Sequence, residues 1–187
     1  MEDELDPQWH TISRFQPNEV GVQNSVYICY RQTNLHTALY IRQLLMQHRY
    51  HVSMCDYNQR SHNWRTALSD EIKACVHFLV LLAPSTLKCC VDPDDSFRQQ
   101  IEQAIRERRN IILLLFSGFK FDSSVRQYLS PELAILPDYS GINVAYDAFE
   151  DAIVKLDSPS YLQQPLDVVS YSSSSVLPRM QLTPAPR

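Results

Sequence analysis

The sequence predicts an α/β protein built on an open, doubly wound, five-stranded parallel sheet with helices on both faces. Two observations carry this. Cys75 to Leu82 and Ile111 to Phe116 are nearly continuous apolar runs, as expected of strands covered on both sides. Around them, short runs of β-formers alternate with stretches in which apolar residues recur at helical spacing, the pattern of successive βαβ units.

The elements follow in order. Residues 1–24 mix acids, Pro7, Pro17 and scattered aromatics without a period and read as a loosely packed leader. Ser25 to Tyr30 is strand one. Leu35, Ala38, Leu39, Ile41, Leu45 and Met46 then form a helix that ends at the cationic pair His48-Arg49, where positive charge suits the helix dipole. His51 to Asp56 is strand two, and the polar run from Tyr57 to Asn63 leads into a helix through Trp64, Leu68 and Ile72. Cys75 to Leu82 is the central strand, stopped by Ala83-Pro84. Asp92, Asp94 and Asp95 then offer caps for a helix whose apolar stripe is Phe97, Ile101, Ala104 and Ile105. Ile111 to Phe116, Gly141 to Ala145 and a helix from Phe149 to Leu156 complete the domain, set at residues 25–156. Residues 157–187 hold five prolines and the run Ser172 to Ser175, the composition of a disordered tail.

Composition narrows the function classes. With 187 residues, 44% apolar and 20% charged, the chain supports one core with tails. A net charge of -4 offers no broad cationic surface for nucleic acid or anionic lipid. No apolar run approaches the roughly 20 residues that span a bilayer, and the acidic start Met1-Glu2-Asp3-Glu4 is unlike a secretory signal. A cytoplasmic protein with no nucleic-acid or membrane partner is expected. The five cysteines lack a C-x-x-C pair, and His36, His48, His51 and His62 lack metal spacing, so no metal is expected. With only Gly21, Gly118 and Gly141, the chain cannot build a glycine-rich phosphate cradle. Arg31, at the end of strand one, reads either as a partner in a strand-end ion pair or as a phosphate ligand.

Three motifs carry a resemblance. Ser25-Val-Tyr-Ile-Cys-Tyr-Arg-Gln32 is similar to the opening strand of Toll/interleukin-1 receptor (TIR) domains, which usually ends in Ser-Tyr-Arg-Arg. Phe78-Leu-Val-Leu-Leu-Ala-Pro-Ser-Thr-Leu-Lys-Cys89 resembles the family's Leu-Val-Leu-Ser-Pro-Gly-x-Leu-x-x-Cys. Asp95 to Phe121 continues in register through a helix, the strand start Asn110-Ile-Ile and the Gly118-Phe119 turn. The likeness spans roughly residues 25–156 and is strongest to the stand-alone bacterial branch with its NAD-cleaving members. It implies a flavodoxin-like fold and a role in signalling or immune-type defence. The expected partners are other TIR domains, as a homo-oligomer, with NAD as a substrate or ligand and no required cofactor.

The resemblance also implies a damaged active site. In that branch the helix after the central strand reads Trp-x-x-x-Glu, and the glutamate stabilises positive charge on the ribose as the glycosidic bond breaks. Counting back from Asn110, the glutamate position falls on Gln100 and the tryptophan position on Ser96. An amide cannot supply the negative charge or move a proton, and loss of a positioned acid or base costs ~10²–10⁴-fold in rate. Glu102 lies two residues further along the helix, about 200° around, and faces away. The Arg-Arg pair is Arg31-Gln32 here, the segment after strand two is Asp56-Tyr57-Asn58 without a glycine before Trp64, and Tyr146 stands where a histidine is common. The resemblance thus assigns Arg31, Ser96 and Tyr146 to the NAD cleft and implies an assembly domain with a degenerate NAD-cleaving site. The alternative is an active NAD glycohydrolase or cyclase with a rearranged site in which Asp94 or Asp95 approaches the ribose. A receiver-type domain would need clustered acids after strand one, where Tyr30-Arg31 stands.

Overall fold

The computed structural model describes residues 24–55, 64–145, 149–158 and 161–162. Five parallel strands form one sheet in the order β2-β1-β3-β4-β5, comprising β1 (Ser25–Cys29), β2 (His51–Met54), β3 (His77–Leu82), β4 (Asn110–Phe116) and β5 (Gly141–Val144). The helices are α1 (Leu35–Gln47), α2 (Trp64–Ala74), α3 (Ser96–Arg106), the short α4 (Ser123–Arg126) and α5 (Phe149–Leu156). The α/β class and five-stranded parallel sheet expected from the apolar runs are therefore present.

Period-two alternation divides the sheet between two cores. Val26 and Ile28 of β1, Leu79 and Leu81 of β3 and Ile112 and Leu114 of β4 point to the face covered by α1 and α5, through Ala38, Ile41, Leu45, Ile153 and Leu156. Tyr27, Phe78, Val80, Ile111 and Leu113 point the other way, onto Ile72 of α2 and Phe97, Ile101 and Ala104 of α3. The central strand β3 is buried at all six positions, whereas the edge strand β5 alternates exposed and buried. That contrast is the reason β3 reads as a continuous apolar run and β5 as a weak one.

Differences from the sequence reading are confined to ends and connections. Strands β1, β2 and β3 are each shorter than the apolar runs that announce them. Helix α4 and a 3₁₀ segment at Leu133–Asp138 occupy a stretch with no expected element. Packing also continues past residue 156, since Leu162 is buried in the same core cluster as Leu156 and Asn110 donates to the carbonyl of Tyr161 at 2.8 Å. The proposed leader up to residue 23, and the tail from residue 163 on, lie outside the described residues. Among the described residues no helix is long and apolar enough to cross a membrane, and no cluster of His, Cys, Asp and Glu is arranged to hold a metal.

Candidate functional site

In an open α/β sheet the place for a ligand is the crevice at the carboxyl ends of the strands where the winding reverses. The order β2-β1-β3 puts that point between β1 and β3. Arg31 lies two residues beyond β1, and the loop from β3 to α3 faces it. The structure has an ion pair there. The Arg31 guanidinium donates from Nη1 to Asp95 Oδ2 at 2.5 Å and from Nη2 to Asp95 Oδ1 at 3.0 Å. Its Nε donates to the Thr86 carbonyl at 2.9 Å and Nη2 also reaches Cys90 Sγ at 3.5 Å. The guanidinium plane lies over Phe97, 4.5 Å from the ring centroid, a cation–π contact.

Asp95 is held from its other side as well. It is the N-cap of α3, and its Oδ1 accepts the Arg98 backbone N–H at 2.8 Å, closing one of the free amides at the helix start. The pair is partly desolvated, with 19% of the Arg31 side chain and 12% of the Asp95 side chain exposed. Burial works against the Arg31 charge, but the Asp95 hydrogen bond and charge outweigh it, and the guanidinium pKa is raised. The neighbouring Cys90 thiol is pushed up to about 12 by burial, against the pull of Arg31, so it stays protonated beside the pair. Arg31 thus makes the strand-end ion pair that is one of its two readings.

Gln100 is placed differently from the cleft position that the resemblance gives it. It is 1% exposed, on the buried stripe of α3 with Phe97, Ile101 and Ala104. Tyr27 Oη donates to its Oε1 at 3.0 Å, and its Nε2 donates to the Ser96 carbonyl at 3.1 Å. Tyr27 is itself fully buried and stacked on Phe78, with ring centroids 5.4 Å apart and planes at 6°. Gln100 is thus a satisfied core amide that spans the gap between β1 and α3. It is therefore buried as well as uncharged.

The remaining described residues take other places. Ser96 is the first residue of α3, half-buried, and contributes its carbonyl to Gln100. Asp94 is exposed in the loop, its backbone N–H bonded to Asp92 Oδ1 at 2.9 Å. Glu102 turns away from Gln100, as helical geometry requires, and pairs with Arg98 at 2.6 Å while accepting the Ser130 hydroxyl at 3.1 Å. Tyr146 and the Asp56-Tyr57-Asn58 segment lie outside the described residues. The sequence reading found Arg31 and Asp95 separately, as a strand-end cation and a helix cap, and did not join them.

Comparisons with known proteins add little to this geometry. No family model matches the sequence, and no curated protein matches it. Among solved structures the chain is similar to the CMP N-glycosidase BcmB of Clostridium botulinum at 16% identity and a TM-score of 0.45, over 72% of this chain and 99% of that one. A likeness that weak has no bearing on the chemistry of the site.

Proposed function

We propose that this chain is a TIR-type domain that acts in signalling or immune-type defence by assembling with like domains, and that its NAD-cleaving site is degenerate. One observation supports this above the others: at the crevice between β1 and β3 both oxygens of the Asp95 carboxylate are committed to Arg31. Scission of a glycosidic bond needs an anion beside the developing positive charge of the sugar. Gln100 offers none and is buried. The alternative, an active glycohydrolase or cyclase using Asp94 or Asp95, requires a free carboxylate in the crevice. Both oxygens of Asp95 already serve Arg31, and one serves the α3 amide as well.

Assembly through the loops at the carboxyl edge is the working part of this reading. Val91, in the loop between β3 and α3, exposes 59% of its surface and is a natural contact point there. Sedimentation velocity over a hundredfold range of protein concentration tests it. The expected result is a mass that grows with concentration and returns to monomer in Val91→Asp. A monomer throughout the range for the unaltered chain would overturn the assembly reading.

A further inference from the structure

At the carboxyl edge, by the loops that follow β3 and β4, a groove of about 420 Å³ falls within the size of ordinary small-molecule sites. Buried Leu87 and Phe119, half-buried Tyr128 and exposed Lys88 and Lys120 line it. Neither lysine forms an ion pair among the described residues. The carboxylate in the lining, Asp122, uses its Oδ1 to cap α4, accepting Val125 N–H at 3.0 Å and the Ser124 hydroxyl at 2.6 Å. The groove therefore offers two uncommitted cations above an aromatic and aliphatic wall.

Left-handed backbone borders it in two tight turns. Four non-glycine residues among those described have positive φ: Arg49, Ser85, Arg108 and Ser117. Arg49 and Arg108 follow the ends of α1 and α3 and close them with paired carbonyl contacts, Tyr50 N–H to Leu45 and Arg109 N–H to Ala104, the usual left-handed helix stop. Ser85 and Ser117 end no helix. They sit in the two tight turns that follow β3 and β4, closed by Thr86 N–H to the Ala83 carbonyl and Phe119 N–H to the Phe116 carbonyl, and these turns shape one side of the groove.

We propose that the groove binds a planar aromatic phosphate monoester, of which a nucleoside monophosphate is the common form, with the phosphate between Lys88 and Lys120 and the ring against Phe119 and Tyr128. Two lysines are point-charge phosphate ligands, and the aromatic wall gives the base a stacking surface. This site is separate from the crevice at β1 and β3 and stands whether or not the assembly reading does.

The test is an amide-resonance titration of the full chain with each of the four common nucleoside monophosphates, and with adenosine and inorganic phosphate in parallel. At least one monophosphate is expected to give saturable shifts at Lys88, Gly118, Phe119, Lys120 and Tyr128. Adenosine and phosphate alone should each bind roughly tenfold more weakly or less, and the double variant Lys88→Gln/Lys120→Gln should weaken the monophosphate roughly tenfold, while the distant Lys155→Gln has no effect. Tyr128→Ala should weaken it without changing phosphate binding. The proposal is overturned by the absence of saturable shifts with all four up to about 10 mM, by inorganic phosphate binding as tightly as the best monophosphate, or by undiminished affinity in a folded double variant.

Discussion

Arg31 and Asp95 stand 64 residues apart in sequence and meet through two hydrogen bonds at the topological switch point of the sheet. The same carboxylate caps α3, so a single side chain fixes the helix start and neutralises the strand-end cation. The pair adds to the Tyr27–Gln100 hydrogen bond in tying β1 to α3.

Removing one partner leaves the other charge partly buried. Asp95→Asn keeps a capping oxygen yet strands the guanidinium, and it should cost about 3 kcal/mol in denaturant unfolding, the usual penalty for breaking a desolvated pair. The double variant Arg31→Met/Asp95→Asn should recover much of that loss, because no charge is then left unpaired. Equal losses in the single and double variants would show that the pair is not coupled.

Gln100→Glu places a carboxyl group in a core position that is 1% exposed, against a backbone carbonyl. Burial raises the pKa of such a group above its unfolded value. The sign follows from that: the variant comes closest to its parent below the unfolded pKa of about 4.3 and loses stability as pH rises through the folded pKa. Unfolding curves for both proteins between pH 4 and pH 8 should diverge with rising pH. Parallel curves would mean that the new carboxylate reaches water.

Tyr50 donates to Asp157 Oδ1 at 2.5 Å, and His48 Nδ1 lies 3.1 Å from Asp157 Oδ2, joining the ends of α1 and α5. Burial first, and then the Asp157 hydrogen bond and charge, raise the Tyr50 pKa. The stability this gives is complete below the ordinary tyrosine value of about 10 and is lost as pH rises through the higher folded value. Tyr50→Phe should cost about 1 kcal/mol at neutral pH and show a shallower loss of stability above pH 10 than the parent.

How far the sequence could be read depended on whether a signal was local. The strands β3 and β4 were plain because both faces are covered, and the helix stripe of α3 followed from its spacing. That stripe also held the clue to Gln100: positions 97, 100, 101 and 104 follow the i, i+3, i+4, i+7 pattern of one buried face. A polar residue on such a face reads as a site when it is matched to a catalytic position and as a core amide when it is matched to its neighbours. The Arg31–Asp95 contact was out of reach because it depends on how β1 and the β3–α3 loop come together in space. Helix α4 had a legible cap in Asp122 but only four residues behind it, too few for a period.

Ser85 makes a local motif testable. The turn from Ala83 to Thr86 is closed by Thr86 N–H to the Ala83 carbonyl at 3.0 Å, with Pro84 second and Ser85 third at φ 74°. A type II turn asks for glycine there, which is what the TIR pattern Pro-Gly carries. Ser85→Gly should therefore raise stability by about 1 kcal/mol, the relief of a left-handed side chain less the entropy that glycine adds to the unfolded chain.

The five cysteines are all free, and Cys89 alone is exposed. Burial pushes Cys75 and Cys90 up to about 12 and Cys29 well above its usual range. A thiol-reactive chromophore at pH 8 should titrate one group quickly in the native protein and all five after unfolding, with the fast phase gone in Cys89→Ser. Two or more fast thiols in the native state would mean that the core around the switch point opens.

The most direct trial of the account is nicotinamide release from NAD by the purified full chain at high protein concentration, with and without crowding agent. An Asp95 carboxylate committed to Arg31 and a buried Gln100 predict release no faster than the protein-free control, both for the unaltered chain and for Gln100→Glu. Clear release by the unaltered chain that disappears in Gln100→Ala would contradict it.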